Sequence, residues 1–171
     1  MVLMATADGS GSVVGRFSDG TNNAGFFYYR FDGGFGYSPN TNALAYRAGG
    51  YGNTTSWTHI AFVYNGTNIS CYVNGALVGI AITSSSTFVG ASSAGAAEIQ
   101  VGGPHPGVTC DAVFYSRALS ADEILQLANV RRPRNMTNCF GWYPLLSENI
   151  TQDYSGNGNT LSSIGSGGTA V

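Results

Sequence analysis

The chain has 171 residues, 43% of them hydrophobic but only 9% charged, against about 25% charged in ordinary soluble domains. All seven basic residues are arginines and the formal net charge is −2, which excludes the basic footprint that nucleic acid or an anionic membrane requires. No apolar run approaches the roughly 20 residues of a membrane helix, Met1-Val2-Leu3-Met4-Ala5 lacks the basic start and apolar core of a signal peptide, and the length suits one domain.

Composition and alternation predict strands over 12–17, 24–31 and 42–47, divided by turn-rich stretches at 18–23 and 32–40. Within "FFYYRFDGGFGY", if Phe27, Tyr29 and Phe31 face a core, Phe26, Tyr28 and Arg30 occupy the other face. Aromatic faces stack on pyranose rings and arginine donates to hydroxyls, so Phe26, Tyr28, Arg30 and Tyr37 are the candidate carbohydrate-binding residues. Packed against a neighbouring subunit, the same residues would be an interface instead.

From residue 56 to 80, "SWTHIAFVYNGTNISCYVNGALVGI", three apolar runs are separated by Asn65-Gly66 and Asn74-Gly75, dipeptides that favour the positive φ of hairpin turns. Ile69, Cys71 and Val73 alternate with Ser70, Tyr72 and Asn74, so this is a three-stranded meander that serves as scaffold. The Ser/Ala/Gly-rich stretch that follows reads as a loop with a short edge strand near Phe88, and strands are expected at 98–101 and 109–115.

Ser120 and Glu123 have the spacing of a capping box, and Ile124, Leu127 and Ala128 then line one apolar face, which predicts a single helix over 121–129. Arg131-Arg132-Pro133-Arg134 reads as a basic linker. "CFGWYPLL" is a further strand, "DYSGNGN" a turn, and a last short strand is expected at 160–164. Nine or ten strands and one helix predict two packed antiparallel sheets.

The order "SWTHIAFVYNGTNISCYVNGALVG", "IQVGG" and "DAVFYSRALSADEILQL" resembles the laminin G-like domains of the concanavalin A-type lectin/glucanase superfamily. Trp57, His59, Tyr72 to Gly75, Tyr115 and Arg117 to Ser120 carry the resemblance, which covers most of residues 10–130. It implies an all-β, two-sheet antiparallel jelly-roll sandwich over residues 1–130. Residues 131–171 read as a basic linker plus strands that complete the same sandwich, because Trp142, Tyr143, Leu145 and Leu146 would otherwise expose an apolar patch; the alternative is that a following repeat begins there. The resemblance also implies a place outside the cell, at the cell surface or on a virion. The sequence departs from the family's pattern in two ways: Cys110 stands where the family commonly has an aspartate, and "GWYPLLSENITQDYSGNGNTL" looks like a segment that usually opens such a domain.

The glucan-cleaving members resemble one another in a Glu-x-Asp-x-x-Glu strand, and this chain has no such run. Its glutamates are Glu98, Glu123 and Glu148, with Glu123 assigned to the helix cap, so no pair offers the roughly 5 Å spacing of a retaining hydrolase and no catalytic residue is expected. Only His59 and His105 could serve a serine or cysteine nucleophile; His59 falls in a strand and His105 in the loop "GGPHPG".

Asp153, Ser155 and Asn157 followed by Gly158 have the spacing of half a calcium loop without its closing acid. Asp153 and Asn157 are therefore candidate calcium ligands, joined by a remote carboxylate such as Asp111 or Asp8, with an Asx turn as the competing assignment. Cys71, Cys110 and Cys139 lack metal-ligand spacing and allow at most one bridge. Asn53, Asn65, Asn68, Asn135 and Asn149 begin glycosylation sequons. Together these features predict a non-catalytic surface module whose partners are glycans or neighbouring copies.

Overall fold

In a computed structural model the backbone is described for residues 2–7, 12–18, 25–29, 35–38, 46–48, 57–65, 68–82, 98–101, 107–145 and 149–161. Side chains are described for 57–65, 68–79, 110–145 and 149–161. Eleven strands and one helix occupy these segments: β1 (Val2–Ala7), β2 (Ser12–Ser18), β3 (Gly25–Tyr29), β4 (Phe35–Ser38), β5 (Tyr46–Ala48), β6 (Thr58–Tyr64), β7 (Asn68–Val73), β8 (Ala76–Ile82), β9 (Glu98–Val101), β10 (Gly107–Tyr115), α1 (Ala121–Val130) and β11 (Cys139–Tyr143). They form two antiparallel sheets, one of order β11-β10-β1-β6-β7-β8 and one of order β5-β4-β3-β2-β9.

The meander β6-β7-β8 lies where the Asn-Gly dipeptides place it. Asn74 (φ 50) and Gly75 (φ 82) both adopt the left-handed region, which lets a two-residue turn follow the twist of the strands it joins. Asn74 also clamps β6, donating its N–H to the His59 carbonyl at 2.8 Å and accepting the His59 N–H at 3.0 Å.

Along β6 every residue from Thr58 to Val63 is buried, because this sheet is covered on both sides. On one side Ala61, Val63, Tyr72, Val113 and Cys139 pack with Leu119, Ile124 and Leu127 from α1 and its approach. On the other, Ile60, Phe62, Ile69, Cys71, Ala112, Phe114 and Tyr143 are all 5% exposed or less.

The helix begins at the expected box. Ser120 Oγ accepts the Glu123 N–H at 3.2 Å and Glu123 Oε2 accepts the Ser120 N–H at 3.0 Å, which satisfies two N-terminal donors. Arg131 (φ 57) closes it, donating its N–H to Leu127 O at 2.9 Å.

Several strand expectations are corrected. β1 adds to the strands expected from sequence, and its place between β10 and β6 explains why alternation does not reveal it: an inner strand of a doubly covered sheet carries an apolar run. β4 falls inside the stretch expected to be a turn, because Gly33, Gly34 and Gly36 mask a pairing with β3. β3 and β5 cover 25–29 and 46–47 of the strands expected at 24–31 and 42–47, whose other residues lie outside the described ones; Thr160 and Leu161 belong to no strand, and the edge strand expected near Phe88 lies outside the described residues. β11 pairs with β10 at the margin of the six-stranded sheet.

Candidate functional site

Strand register decides which residues of the five-stranded sheet share a face. One row across β9, β2, β3 and β4 runs Gln100, Arg16, Phe26, Ser38, and the next, across β2, β3, β4 and β5, runs Val13, Tyr28, Gly36, Arg47. Phe26 and Tyr28 are two residues apart on β3, so these rows belong to the same face by alternation. The opposite parity holds Phe17, Phe27, Tyr29, Phe35, Tyr37, Tyr46, Ile99 and Val101, an almost wholly apolar set. One face thus has the composition of a core, and the other combines two aromatics with arginines, an amide and a glycine.

Of the four candidate carbohydrate-binding residues, register brings Phe26 and Tyr28 together. Tyr37 is the cross-strand partner of Phe27, so it has the parity of the apolar set. Arg30 lies outside the described residues. Arg16, Arg47 and Gln100 do not stand out in the sequence, since only the pairing of distant strands aligns them with Phe26 and Tyr28.

The candidate calcium ligands fall into two different settings. Asp153 is buried in a turn beside β11, where Oδ1 accepts the N–H groups of Trp142 (3.0 Å) and Ser155 (2.8 Å), and Oδ2 accepts the Asn159 N–H (2.9 Å) and Ser155 Oγ–H (2.8 Å). Burial alone would raise its pKa, but the accepted bonds outweigh burial and hold the carboxyl below its usual range. The Nδ2 of Asn157 donates to Cys139 O at 2.6 Å, and the Nδ2 of Asn159 to Phe140 O at 2.7 Å. Tyr154 N–H adds a 2.8 Å bond to Trp142 O, so the turn saturates the outer edge of β11 in the manner of a further strand.

Asp111 sits elsewhere, at a bulge. Val2 pairs with Val113 and Met4 with Cys110, leaving β10 one extra residue, and Asp111 (φ 52) takes it. Burial raises the Asp111 carboxyl, its Oδ2 accepts the Cys110 thiol at 3.6 Å, and the charges of Arg131 and Arg132 act against the rise. Among the described residues no three His, Cys, Asp or Glu side chains converge as a metal site.

The thiols and the histidine are poor nucleophile and base. Cys71, Cys110 and Cys139 are free and buried, and burial pushes Cys71 and Cys110 up to about 12, so both are neutral thiols at neutral pH. His59 is 2% exposed with neither ring nitrogen hydrogen-bonded, and burial pulls it down to about 4. Asp8, His105 and the sequon asparagine Asn53 lie outside the described residues. Asn65 and Asn149 are exposed, and Asn68 is half-buried.

Glu123 anchors a polar network. Arg117 donates to it twice, at 2.8 and 2.6 Å, stacks 5.4 Å from the Tyr115 ring centroid and donates Nε–H to Thr137 O at 3.2 Å. Asn135, a sequon residue, donates Nδ2–H to Glu123 at 3.2 Å, and Tyr115 OH donates to Asn135 O at 2.9 Å. The Arg117 bonds, followed by the cap bond from Ser120, bring Glu123 down to about 2. Glu123 is therefore a positioned anion and not a proton donor near neutral pH.

Comparison with known families matches residues 2–125 to a family model described as Concanavalin A-like lectin/glucanases superfamily. No curated protein matches the chain significantly. The matched segment ends within α1, so Arg131 to Arg134, β11 and the Asp153 turn lie beyond it.

Proposed function

Because the chain belongs to the concanavalin A-like lectin/glucanase superfamily, we propose that it is a non-catalytic carbohydrate-recognition module, with its two sheets packed as a jelly-roll sandwich. The packing is supported by the two buried sides of the six-stranded sheet. Helix α1 accounts for one, and the residues from Ile60 to Tyr143 on the other need a second apolar layer. The aromatic parity of the five-stranded sheet has the composition to supply it.

The observation that carries the function is the other parity of that sheet. Phe26 and Tyr28 offer aromatic area for a pyranose ring, and Arg16, Arg47, Gln100 and Ser38, of the same parity by register, offer hydroxyl partners. Exposure of the sequon asparagines Asn65 and Asn149 is compatible with an extracellular or particle-surface setting. Asp153 in this reading is an edge cap for β11, and calcium is not required.

The test is a glycan array probed with the whole chain, its Tyr28→Ala and Arg16→Ala variants, and Leu77→Ser as a control on the other sheet. Binding by a folded monomer, lost at least about tenfold in the first two variants and kept in the control, is the expected result. Silence from a self-associating species would favour an assembly subunit, and release of reducing sugar from a soluble glucan would overturn the non-catalytic assignment.

A further inference from the structure

The chain has no lysine, so its seven arginines are the only places where a protease that reads a basic side chain can cut it. Arg16 and Arg47 lie in β2 and β5, whose backbones are paired within the five-stranded sheet, and Arg30 lies outside the described residues. Arg117 is held, donating twice to Glu123 and stacking on the Tyr115 ring. Arg131, Arg132 and Arg134 differ: they follow α1 in a connection over 131–138 that belongs to no helix or strand, and every residue of it except Pro133 is exposed.

A protease cleft binds its substrate as an extended strand, so the chain on both sides of the cut must leave its local hydrogen bonds. The Arg131 N–H donates to Leu127 O at 2.9 Å, which ties the Arg131–Arg132 bond to the end of α1. The next bond ends on the Pro133 ring, which lacks an N–H and crowds the residue before it. That leaves Arg134–Asn135. Among the described residues Arg134 makes no ion pair or side-chain hydrogen bond, whereas the charges of Arg131 and Arg132 act on the Asp111 carboxyl. Beyond the bond, Asn135 O accepts the Tyr115 OH at 2.9 Å and Asn135 Nδ2 donates to Glu123 at 3.2 Å. Releasing these bonds nearest the cut costs about 1 kcal/mol each, so the segment opens without unfolding either sheet.

We propose that the Arg134–Asn135 bond is a processing site for a serine endoprotease whose acidic cleft reads arginine at both the first and the fourth position before the cut, here Arg134 and Arg131. Each guanidinium meets a carboxylate of the cleft with paired N–H donors. The protease serine adds to the Arg134 carbonyl carbon, the C–N bond breaks, and Asn135 leaves as an amine with a proton from the protease histidine; water then releases Arg134 as a carboxylate. The new ammonium group arises beside the Glu123 carboxylate that Asn135 already contacts. The cut separates the family-matched residues 2–125 from β11 and the Asp153 turn. That C-terminal part is bonded to itself, through Asp153 to the Trp142 and Asn159 N–H groups and through Asn157 Nδ2 to Cys139 O. It is bonded to the body through the β10-β11 ladder, with Cys139 and Tyr143 buried. The product is a two-chain domain whose last strand is held without a covalent link, and the site is independent of the Phe26/Tyr28 face.

The experiment incubates the whole chain with a subtilisin-like endoprotease of Arg-x-x-Arg specificity, follows the rate, and weighs the fragments by mass spectrometry. A synthetic peptide of residues 128–138 serves as the unfolded substrate. The expected first cut is after Arg134, slowed at least about tenfold in Arg134→Gln and in Arg131→Asn; asparagine is chosen because it tolerates the left-handed backbone of position 131. Trypsin, which reads one arginine, should cut after Arg134 at the same rate in wild type and Arg131→Asn, which separates recognition of Arg131 from access to the bond. The two fragments should elute together by size exclusion and apart in urea. A first cut after any of the other six arginines, an unchanged rate in Arg131→Asn, or an intact chain where the peptide is cleaved would each overturn the proposal. Separation of the fragments without urea would overturn the two-chain product.

Discussion

Gly75 lies directly beneath Leu125: a Cβ at position 75 would stand 2.7 Å from Leu125 Cδ1 and 3.2 Å from its Cα. The β7-β8 turn thus needs glycine twice over, for its φ of 82° and for the approach of α1 to the hairpin. Gly75→Ala should lower unfolding stability by about 2 kcal/mol, combining left-handed strain with a contact that the helix backbone cannot relieve. Urea titration measures it, and a loss below about 0.5 kcal/mol would show that α1 is free to move away.

Glu123→Gln should cost about 1 kcal/mol at pH 6, a figure kept small because solvent screens a pair whose side chains are each about a quarter exposed. The sign with pH follows from the depressed carboxyl, about 2 in the fold against an ordinary 4.5. The charge stabilises fully above 4.5, and its contribution is lost as pH falls toward 2. Urea midpoints of wild type and variant should therefore approach one another by about half between pH 6 and pH 3. A constant gap would assign the loss to the capping hydrogen bonds alone.

Local chemistry makes much of the six-stranded sheet readable. Asn74-Gly75 sets one turn, alternation over Ile69, Cys71 and Val73 sets β7, and Ser120 with Glu123 sets the start of α1 to the residue. Where the signal is non-local, reading fails. β1 shows no alternation because it is an inner strand of a sheet covered on both sides, and β4 is concealed by a glycine-rich sequence, its strand state depending on its pairing with β3. The candidate glycan face illustrates the same limit: Tyr28 and Tyr37 look equivalent in sequence, but the β3-β4 register gives Tyr37 the parity of Phe27. Arg16 and Arg47 join Tyr28 only through the pairing of separate strands, which no single-strand pattern encodes.

His59 gives the domain an acid limit. It is 2% exposed, its ring nitrogens lack partners, and its pKa in the fold is about 4, against 6.5 for an exposed histidine. Since the folded value is the lower one, the unfolded chain takes up the proton first: stability is undiminished above pH 6.5 and falls as pH drops toward 4. The fall amounts to about 3 kcal/mol over that interval. His59→Met, of similar volume and without a titrating group, should flatten the pH dependence of the melting temperature between 6.5 and 4. An unchanged slope would place the acid sensitivity in another group.

Asp153 separates edge protection from metal binding. Its two oxygens accept four hydrogen bonds, from Trp142, Ser155 twice and Asn159, so a cation could bind there only by displacing donors that already neutralise the carboxylate. Removing the side chain leaves the Trp142 and Asn159 N–H groups without their acceptor, and Asp153→Ala should cost about 2 kcal/mol. It should also loosen the turn that covers the β11 edge, so the variant is expected to self-associate with rising concentration in sedimentation while wild type does not. Wild-type melting should be the same in millimolar calcium and in chelator. A calcium-dependent rise in melting temperature that disappears in Asp153→Ala would instead make the turn a metal site, and would require Asp153 to exchange its N–H donors for a cation when calcium is present.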